Sequence, residues 1–567
     1  MNSKLLHKRW LVGLIYLVLA LAFNYIYLRY KSLFIGQDSY FHISRINEML
    51  HWKLTQFPYL STATQGHVGD QIALFYPNYL LYPLAALIKV LGHPIFCVYL
   101  YVTIMSLITA LITDYATYSI TKSRSQSFLM ATIYTFSFFR LLNFYARFDF
   151  GEFLAITFLP LTFAGFYHLL KDGSHRWQLI WGMTGLIYTH TMTTAITGVI
   201  LVGILIVYLI FHFRKSLVTL KNLLIASLWT GGLTAAFILP LIWHSHYTIS
   251  GIQATYWQVD HVFSSTWDEL FNSVLANDPT IVYSPGTFSV IVGLISILIL
   301  VVRWRHLSTI YKYSLCCALI FLWMITPLFP WSLFDHTPVL VIQLSLRFCS
   351  FYVLFASLLI SYVGAQAFSV HIIHKFLVPF LSILSILLAL GSVQNTANQR
   401  FTKEQKYLQN DLFFTPDKIP EANNVPDYFP KVASKYQADL TDLRNSTAYI
   451  NGHPKTLYGT PASNQMTYQV KTHSKQNTID LPFLNYGTNN YSVTNNGHQV
   501  SAQFSHRGTF KINTTSPNNK IVIRYQPNFI DRYAKYLSLL ILLLALLVGV
   551  FHARVRSKNY RHEYHHS

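Results

Sequence analysis

The chain has 567 residues, of which 52% are apolar or aromatic and only 11% charged. Soluble domains carry about 25% charged residues, so this chain cannot cover itself with a solvated surface; a single soluble globule, a disordered chain and a disulfide scaffold are excluded. Its 42 Lys and Arg outnumber its 22 Asp and Glu, for a net charge of +20, but the cations cluster at the ends of apolar runs, a pattern that speaks for membrane lipid and against nucleic acid.

The N-terminus has a basic start and then an apolar run near 11–29. At about 19 residues this run is longer than a signal-peptide core and no small-residue cleavage site follows, so it reads as a retained first membrane helix. Further apolar stretches lie near 94–120, 127–144, 153–170, 177–190, 193–212, 222–243, 287–302, 313–330, 349–368, 375–392 and 536–553. The run over 177–213 would make one helix of roughly 55 Å against a hydrocarbon core of about 30 Å, so Thr189-His190-Thr191 is the predicted turn between two spans. The stretch 79–90 is apolar but, at about 12 residues, more typical of an interfacial or re-entrant segment.

Whether 79–90 crosses decides the side of every later loop. If it does not, the loops holding Lys122, Arg124, Lys171, Arg176, Arg214, Lys215, Lys221, Arg303, Arg305, Lys312 and Lys375 share the side of the basic N-terminus and of the tail from Arg554 to Arg561. The positive-inside rule therefore predicts a polytopic α-helical protein of the plasma membrane with about 12 transmembrane helices and both termini cytoplasmic. This topology exports the first loop (30–94), the turn around Asp149, the turn around His190 with the loop over 243–286, the segment 331–347 and the hydrophilic block 393–533. Within that block TFKINT and KIVIRY alternate with period two, which predicts a small extracytoplasmic β-rich domain before the final helix and basic tail at 534–567. Cys97, Cys316, Cys317 and Cys349 show neither metal-ligand spacing nor a disulfide framework.

In so acid-poor a chain each exported acid is informative. Asp38 follows the first span in GQDSYFHISRINEML, with His42, Arg45 and Glu48 at helical spacing on an amphipathic interfacial helix. Its carboxylate can serve as a general base or a cation ligand; the plain alternative is a helix N-cap. Arg147, Asp149 and Glu152 crowd a turn between two apolar spans, where ionisable groups suggest function, the alternative being a cap with a local ion pair. Arg347 opens a span from the outer side, suited either to bidentate phosphate binding or to snorkelling. His190 reads more simply as a satisfied polar residue than as a catalyst.

Taken in order, the xDxxxH setting of Asp38, GDQIALFYPNYLLYP, ARFDFGEFLAITFLPL, the TH turn, IQLSLRF and Asp427-Tyr428-Phe429-Pro430 resemble the bacterial YfhO-like membrane proteins. That group is also labelled 6-pyruvoyl-tetrahydropterin-synthase-related, and it resembles the GT-C glycosyltransferases. The resemblance implies a GT-C-like transmembrane domain over 1–392 whose first extracytoplasmic loop is catalytic, followed by the β-rich domain over 393–533. It implies Asp38 as the catalytic aspartate and Asp149 and Glu152 as the acidic second-loop position, with His42, Arg147 and His190 in support. In the oligosaccharyltransferase-type members that acidic position binds a divalent cation, which makes Asp38, Asp149 and Glu152 candidate ligands for Mg²⁺ or Mn²⁺. Arg347 matches the arginine of the family's Gln-Phe-Pro-x-Arg pattern, here Gln343-Leu344-Ser345-Leu346-Arg347 without the Phe and Pro, as the lipid-phosphate ligand.

The expected activity is inverting transfer of a sugar from a polyprenyl-phosphate donor to a cell-envelope acceptor such as teichoic acid, another polysaccharide or a glycolipid, with Asp38 as base. No Rossmann-type region for a nucleotide-sugar donor is visible. The rival readings are a transporter or flippase of a lipid-linked saccharide and a non-catalytic envelope assembly factor. The first calls for repeat symmetry and charges within spans, whereas here the charges gather at one face.

Overall fold

The computed structural model of the protein describes residues 8–212, 216–248, 262–280, 284–366, 371–409, 411–414, 428–430, 437–487 and 490–565. Loop residues 249–261, Arg214, Lys215 and Asp427 of the Asp-Tyr-Phe-Pro motif lie outside them.

Long apolar runs have no polar side chains to hold their backbone groups, so they close their hydrogen bonds locally and form helices. Among the described residues seven helices are long and apolar enough to cross a membrane: Arg9–Tyr30, Pro94–Thr121, Phe150–Asp172, Thr191–Phe211, Ser345–Ala365, Ile373–Lys403 and Phe529–Val550. The expected twelve spans are therefore not reproduced. The predicted span 127–144 is two helices, Arg124–Thr135 and Phe138–Tyr145, separated where Ser137 turns extended (φ −63°, ψ 146°). The predicted span 177–190 contains a helix of only 12 residues, Arg176–Ile187. Thr287–Val302, Thr309–Ile325 and Tyr79–Leu91 are apolar but short. Hydropathy measures apolar content and is blind to a broken backbone, which is why the runs outnumber the long helices.

The predicted span 222–243 is bent by 84° between Leu217–Leu233 and Ala235–Ser245. A bend inside an apolar bundle frees backbone groups that must find partners. Tyr188 Oη donates to Leu233 O at 2.7 Å, Tyr79 Oη to Ala236 O at 2.7 Å and Ser538 Oγ to Gly232 O at 3.2 Å, while the Ala236 N–H donates to Ser538 Oγ at 2.8 Å.

The predicted β-rich region is present. It is two five-stranded antiparallel sheets, one ordered Ala502–Phe504, Thr509–Thr514, Asn477–Leu484, Thr447–Ile450, His453–Thr456, the other Thr460–Ala462, Gln465–Lys471, Asn518–Tyr525, Tyr491–Asn495, His498–Gln499. TFKINT is the whole of Thr509–Thr514, and KIVIRY lies in Asn518–Tyr525, where buried and open positions alternate.

The first loop shares a core with this sandwich. Tyr59, Leu60, Leu74 and Phe75 are buried with Met466, Ile479, Phe483, Phe510 and Ile523. The loop backbone is also hydrogen-bonded to the sheets: Leu484 N–H donates to Val68 O at 2.8 Å and Leu60 N–H to Asn464 Oδ1 at 2.9 Å. Gly69 lies so close to the Phe483 ring that a Cβ would come within 2.2 Å of it, and its φ of +71° suits glycine alone.

The sandwich is anchored to the final helix and to the bent pair by a buried cluster. Asp531 accepts from His244 Nε2 at 2.9 Å and from Tyr525 Oη at 2.7 Å, with His244 and Asp531 side chains fully enclosed. Removing an acceptor shared by two buried donors costs each of them that charge-assisted hydrogen bond. Asp531→Ala is expected to destabilise the detergent-purified protein by roughly 3 kcal/mol, read as a lower thermal unfolding midpoint, while Lys535→Ala on the exposed side of the same helix leaves the midpoint in place.

Candidate functional site

The Ser39–His51 helix begins after Asp38, which occupies the N-cap position but makes no capping hydrogen bond with its side chain. The cap reading of Asp38 is thus not met. The Asp38 N–H donates to Arg147 O at 2.9 Å, and its Oδ2 lies 3.4 Å from Arg147 Nη2. The chain can approach this closely because residue 36 is glycine: a Cβ there would come within 2.3 Å of the Arg147 carbonyl. About a third of the Asp38 side chain, 35%, stays open. Its Oδ1 accepts no hydrogen bond among the described residues.

Arg147 sits in the turn between Phe138–Tyr145 and Phe150–Ile156. Phe148, next in the chain, takes a φ of +61°, an outlying value for a bulky residue, and its ring packs against Phe144 and Phe150. With Phe148 turned into the core, the residues on either side reach one another: Arg147 Nη2 is 3.3 Å from Asp149 Oδ2, and Nη1 is 3.0 Å from both Glu152 Oε2 and Asn143 Oδ1. One guanidinium therefore touches all three predicted acids.

Asp149 meets the cap reading, its side chain capping Phe150–Ile156, and the same carboxylate lies within the cluster of candidate residues. Its Oδ1 accepts the Glu152 N–H at 3.0 Å and Tyr76 Oη at 3.5 Å, and faces His42 Nε2 at 3.6 Å. Glu152 Oε1 accepts Ser350 Oγ at 2.9 Å. His42 Nδ1 is 3.2 Å from Arg45 Nη1; since a guanidinium only donates, Nδ1 accepts and the ring proton lies on Nε2, toward Asp149. Burial, reinforced by Arg45 and Arg147 and only partly opposed by Asp149, lowers His42 to about 4, so it is neutral.

His190 caps the Thr191–Phe211 helix, its Nδ1 accepting the Thr193 N–H at 3.3 Å. It too is neutral, lowered by burial to about 3. Gly151 fits between Tyr76 and His190, where a Cβ would meet Tyr76 Oη at 1.9 Å and His190 Cδ2 at 3.0 Å.

Arg347 stands apart from the ion pairs. Gln343 adopts φ 62°, ψ −49°, a strained turn in which Leu344 N–H reaches back to Ile342 O at 2.6 Å. That turn presents two acceptors to Arg347: Ile342 O for Nε at 2.9 Å and Gln343 Oε1 for Nη2 at 3.0 Å. Nη1 has no hydrogen-bond partner among the described residues. Arg347 is close enough for its charge to lower the proton affinity of Asp38 and of His190.

The electrostatic balance separates the two aspartates. Burial raises Asp38 to about 6, with Asp149 and Glu152 adding to the rise and Arg147 and Arg347 opposing it. Burial also pushes Asp149 upward, but Arg147 and His42 outweigh it and hold Asp149 well below the usual carboxylate range. Of the two, Asp149 is thus the stronger acid, and Asp38 keeps its proton to higher pH.

All seven predicted site residues gather at this end of the helical bundle. Tyr76, Asn143 and Ser350 join them without having been singled out, and so does Arg45, which the sequence marked only by its helical spacing from His42. Asn143 and Ser350 carried a signal, being four residues before Arg147 and three after Arg347; Tyr76 and Arg45 are brought in by packing, with the Arg45 guanidinium 4.1 Å over the Tyr76 ring. Of the Asp-Tyr-Phe-Pro motif, Tyr428 stacks on Phe41 and Phe75, and Phe429 is buried with Val68 and Tyr486. Among the described residues no group of three or more His, Cys, Asp or Glu side chains is arranged to hold a metal ion. No protein-family model matches the chain, and no curated protein matches its sequence.

Gly36→Ala is expected to push Asp38 off Arg147. Hydrogen–deuterium exchange checks this: the amide of Asp38, protected in the wild type by Arg147 O, should exchange at least tenfold faster in the variant, on the order of one lost hydrogen bond, while the sandwich strands keep their protection.

Proposed function

We propose that the protein is a GT-C-type membrane glycosyltransferase that takes a sugar from a polyprenyl-phosphate donor at the outer leaflet and passes it to an extracytoplasmic cell-envelope acceptor. The observation that carries this reading is the pairing, at one end of the bundle, of an open carboxylate whose side chain makes no capping hydrogen bond and an arginine with one nitrogen unengaged among the described residues. A hydroxyl nucleophile needs the first and a departing phosphate the second.

In the reaction Asp38 Oδ1 accepts the proton of the acceptor hydroxyl as that oxygen bonds to the anomeric carbon. The bond from the anomeric carbon to the phosphate oxygen breaks on the opposite face, and its electron pair leaves with the lipid phosphate toward Arg347. A single displacement inverts the anomeric configuration. A sugar-phosphate-lipid diester carries one negative charge, the amount one arginine balances. Asp149 and Glu152 are in contact with Arg147 and hold the turn that positions Asp38. In this reading the active-site end and the sandwich face outward, both termini are cytoplasmic, and the sandwich helps to hold the acceptor.

Asp38→Asn is expected to lower the rate of sugar transfer from polyprenyl-phosphate-sugar by about 10² to 10⁴ while purified variant and wild type unfold at similar temperatures; full transfer by the variant refutes the assignment. A base must be ionised to act, so the wild-type rate should rise with pH through about 6, with about a tenth of the maximum left one unit below. Arg347→Ala is expected to weaken binding of polyprenyl monophosphate by roughly tenfold or more, the loss of one charge-assisted contact, measured by its retention on the purified protein.

A further inference from the structure

Three acids at one end of a bundle invite a divalent cation, and the donor set here can be tested against that demand. Mg²⁺ and Mn²⁺ need oxygen ligands at about 2.0–2.2 Å in near-octahedral array, with space for several waters. The region between Asp38, Asp149 and Glu152 is instead filled by the Arg147 guanidinium, whose terminal nitrogens lie 3.4, 3.3 and 3.0 Å from one oxygen of each. The remaining oxygens of the two inner acids are committed as well. Asp149 Oδ1 serves the Glu152 N–H and Tyr76, and Glu152 Oε1 serves Ser350. The guanidinium cannot readily swing aside: Asn143 Oδ1 holds Nη1 at 3.0 Å, its side chain is only 8% exposed, and its carbonyl is packed against Gly36 and bonded to the Asp38 N–H. The residues present therefore do not fit a divalent ion.

We propose that Arg147 is a built-in counter-cation that takes the place of a divalent metal among the three acids, so that this site binds no Mg²⁺ or Mn²⁺ and Asp38 works without one. The consequence for the acids is direct. A guanidinium is always charged, so Arg147 supplies a fixed positive charge among the three acids and leaves Asp38 Oδ1 as the one of their six carboxylate oxygens without a partner among the described residues. What Asp38 does with that oxygen rests on the function proposed above. The cation statement does not.

The test uses the full-length protein in lipid nanodiscs titrated with MnCl₂ alone, with bound Mn²⁺ read from loss of the free-ion electron paramagnetic resonance signal. The wild type, Asp149→Asn and Glu152→Gln should give the same weak, lipid-level uptake, and Arg147→Gln, which removes the cation and leaves three acids, should gain about one Mn²⁺ per chain. A stoichiometric wild-type site that disappears in Asp149→Asn overturns the proposal, whether or not the Arg147 variant folds. A second arm separates this inference from the glycosyltransferase reading. Sugar transfer that persists in excess EDTA supports both; transfer abolished by EDTA and restored by Mg²⁺ overturns the counter-cation and leaves the enzyme standing; no transfer under any condition removes the enzyme reading while the Mn²⁺ titration still decides the cation.

Discussion

A charge in an apolar bundle is tolerated only when its partners come with it, and Arg147 is where this rule shapes the site. Its guanidinium is at hydrogen-bond or ion-pair distance from Asp38, Asp149, Glu152 and Asn143, which come from the first loop, the turn itself and two helices. Because every one of these side chains is individually costly to bury, the contacts are mutually required. The tight approach at Gly36 and the positive φ of Phe148 are local departures from regular structure at this cluster.

The same logic extends outward from the cluster. Glu48 is buried on the Ser39–His51 helix and accepts from Trp52 Nε1, the Thr62 and Ala63 N–H groups and Thr64 Oγ1 at 2.6 to 3.1 Å, which ties the far part of the first loop to the helix that carries Asp38. That part of the loop shares the sandwich core, and the sandwich is joined to the final helix through Asp531 and His244. The first loop is therefore a mechanical link between the acids and the sandwich. A ligand held by the sandwich would be registered relative to Asp38 through packed and hydrogen-bonded residues.

Much of this was legible in the sequence. Apolar runs located the helical bundle, period-two alternation located Thr509–Thr514 and Asn518–Tyr525, and the scarcity of acids pointed to Asp38, Asp149 and Glu152. The number of long helices was not legible: Ser137 and Thr234 interrupt runs whose composition is uniformly apolar, and hydropathy sums over a window without sensing where a peptide turns. Tyr76 was equally hidden, because its place beside Asp149 depends on a first loop folding back across the bundle end.

What the sequence determined by itself was a set of one-dimensional properties: apolar content, alternation, and which few residues carry charge. These follow from side-chain chemistry, so they need no coordinates. Only the tertiary structure decided that Asp149 caps a helix while Asp38 does not, that Asp149 stays charged while Asp38 sits near a pKa of 6, and that an arginine rather than open space lies between the three acids. The physical reason is that proton affinity and ligand fit depend on distance and burial between residues as far apart in the chain as Asp38 and Arg347, which spacing along the chain does not encode.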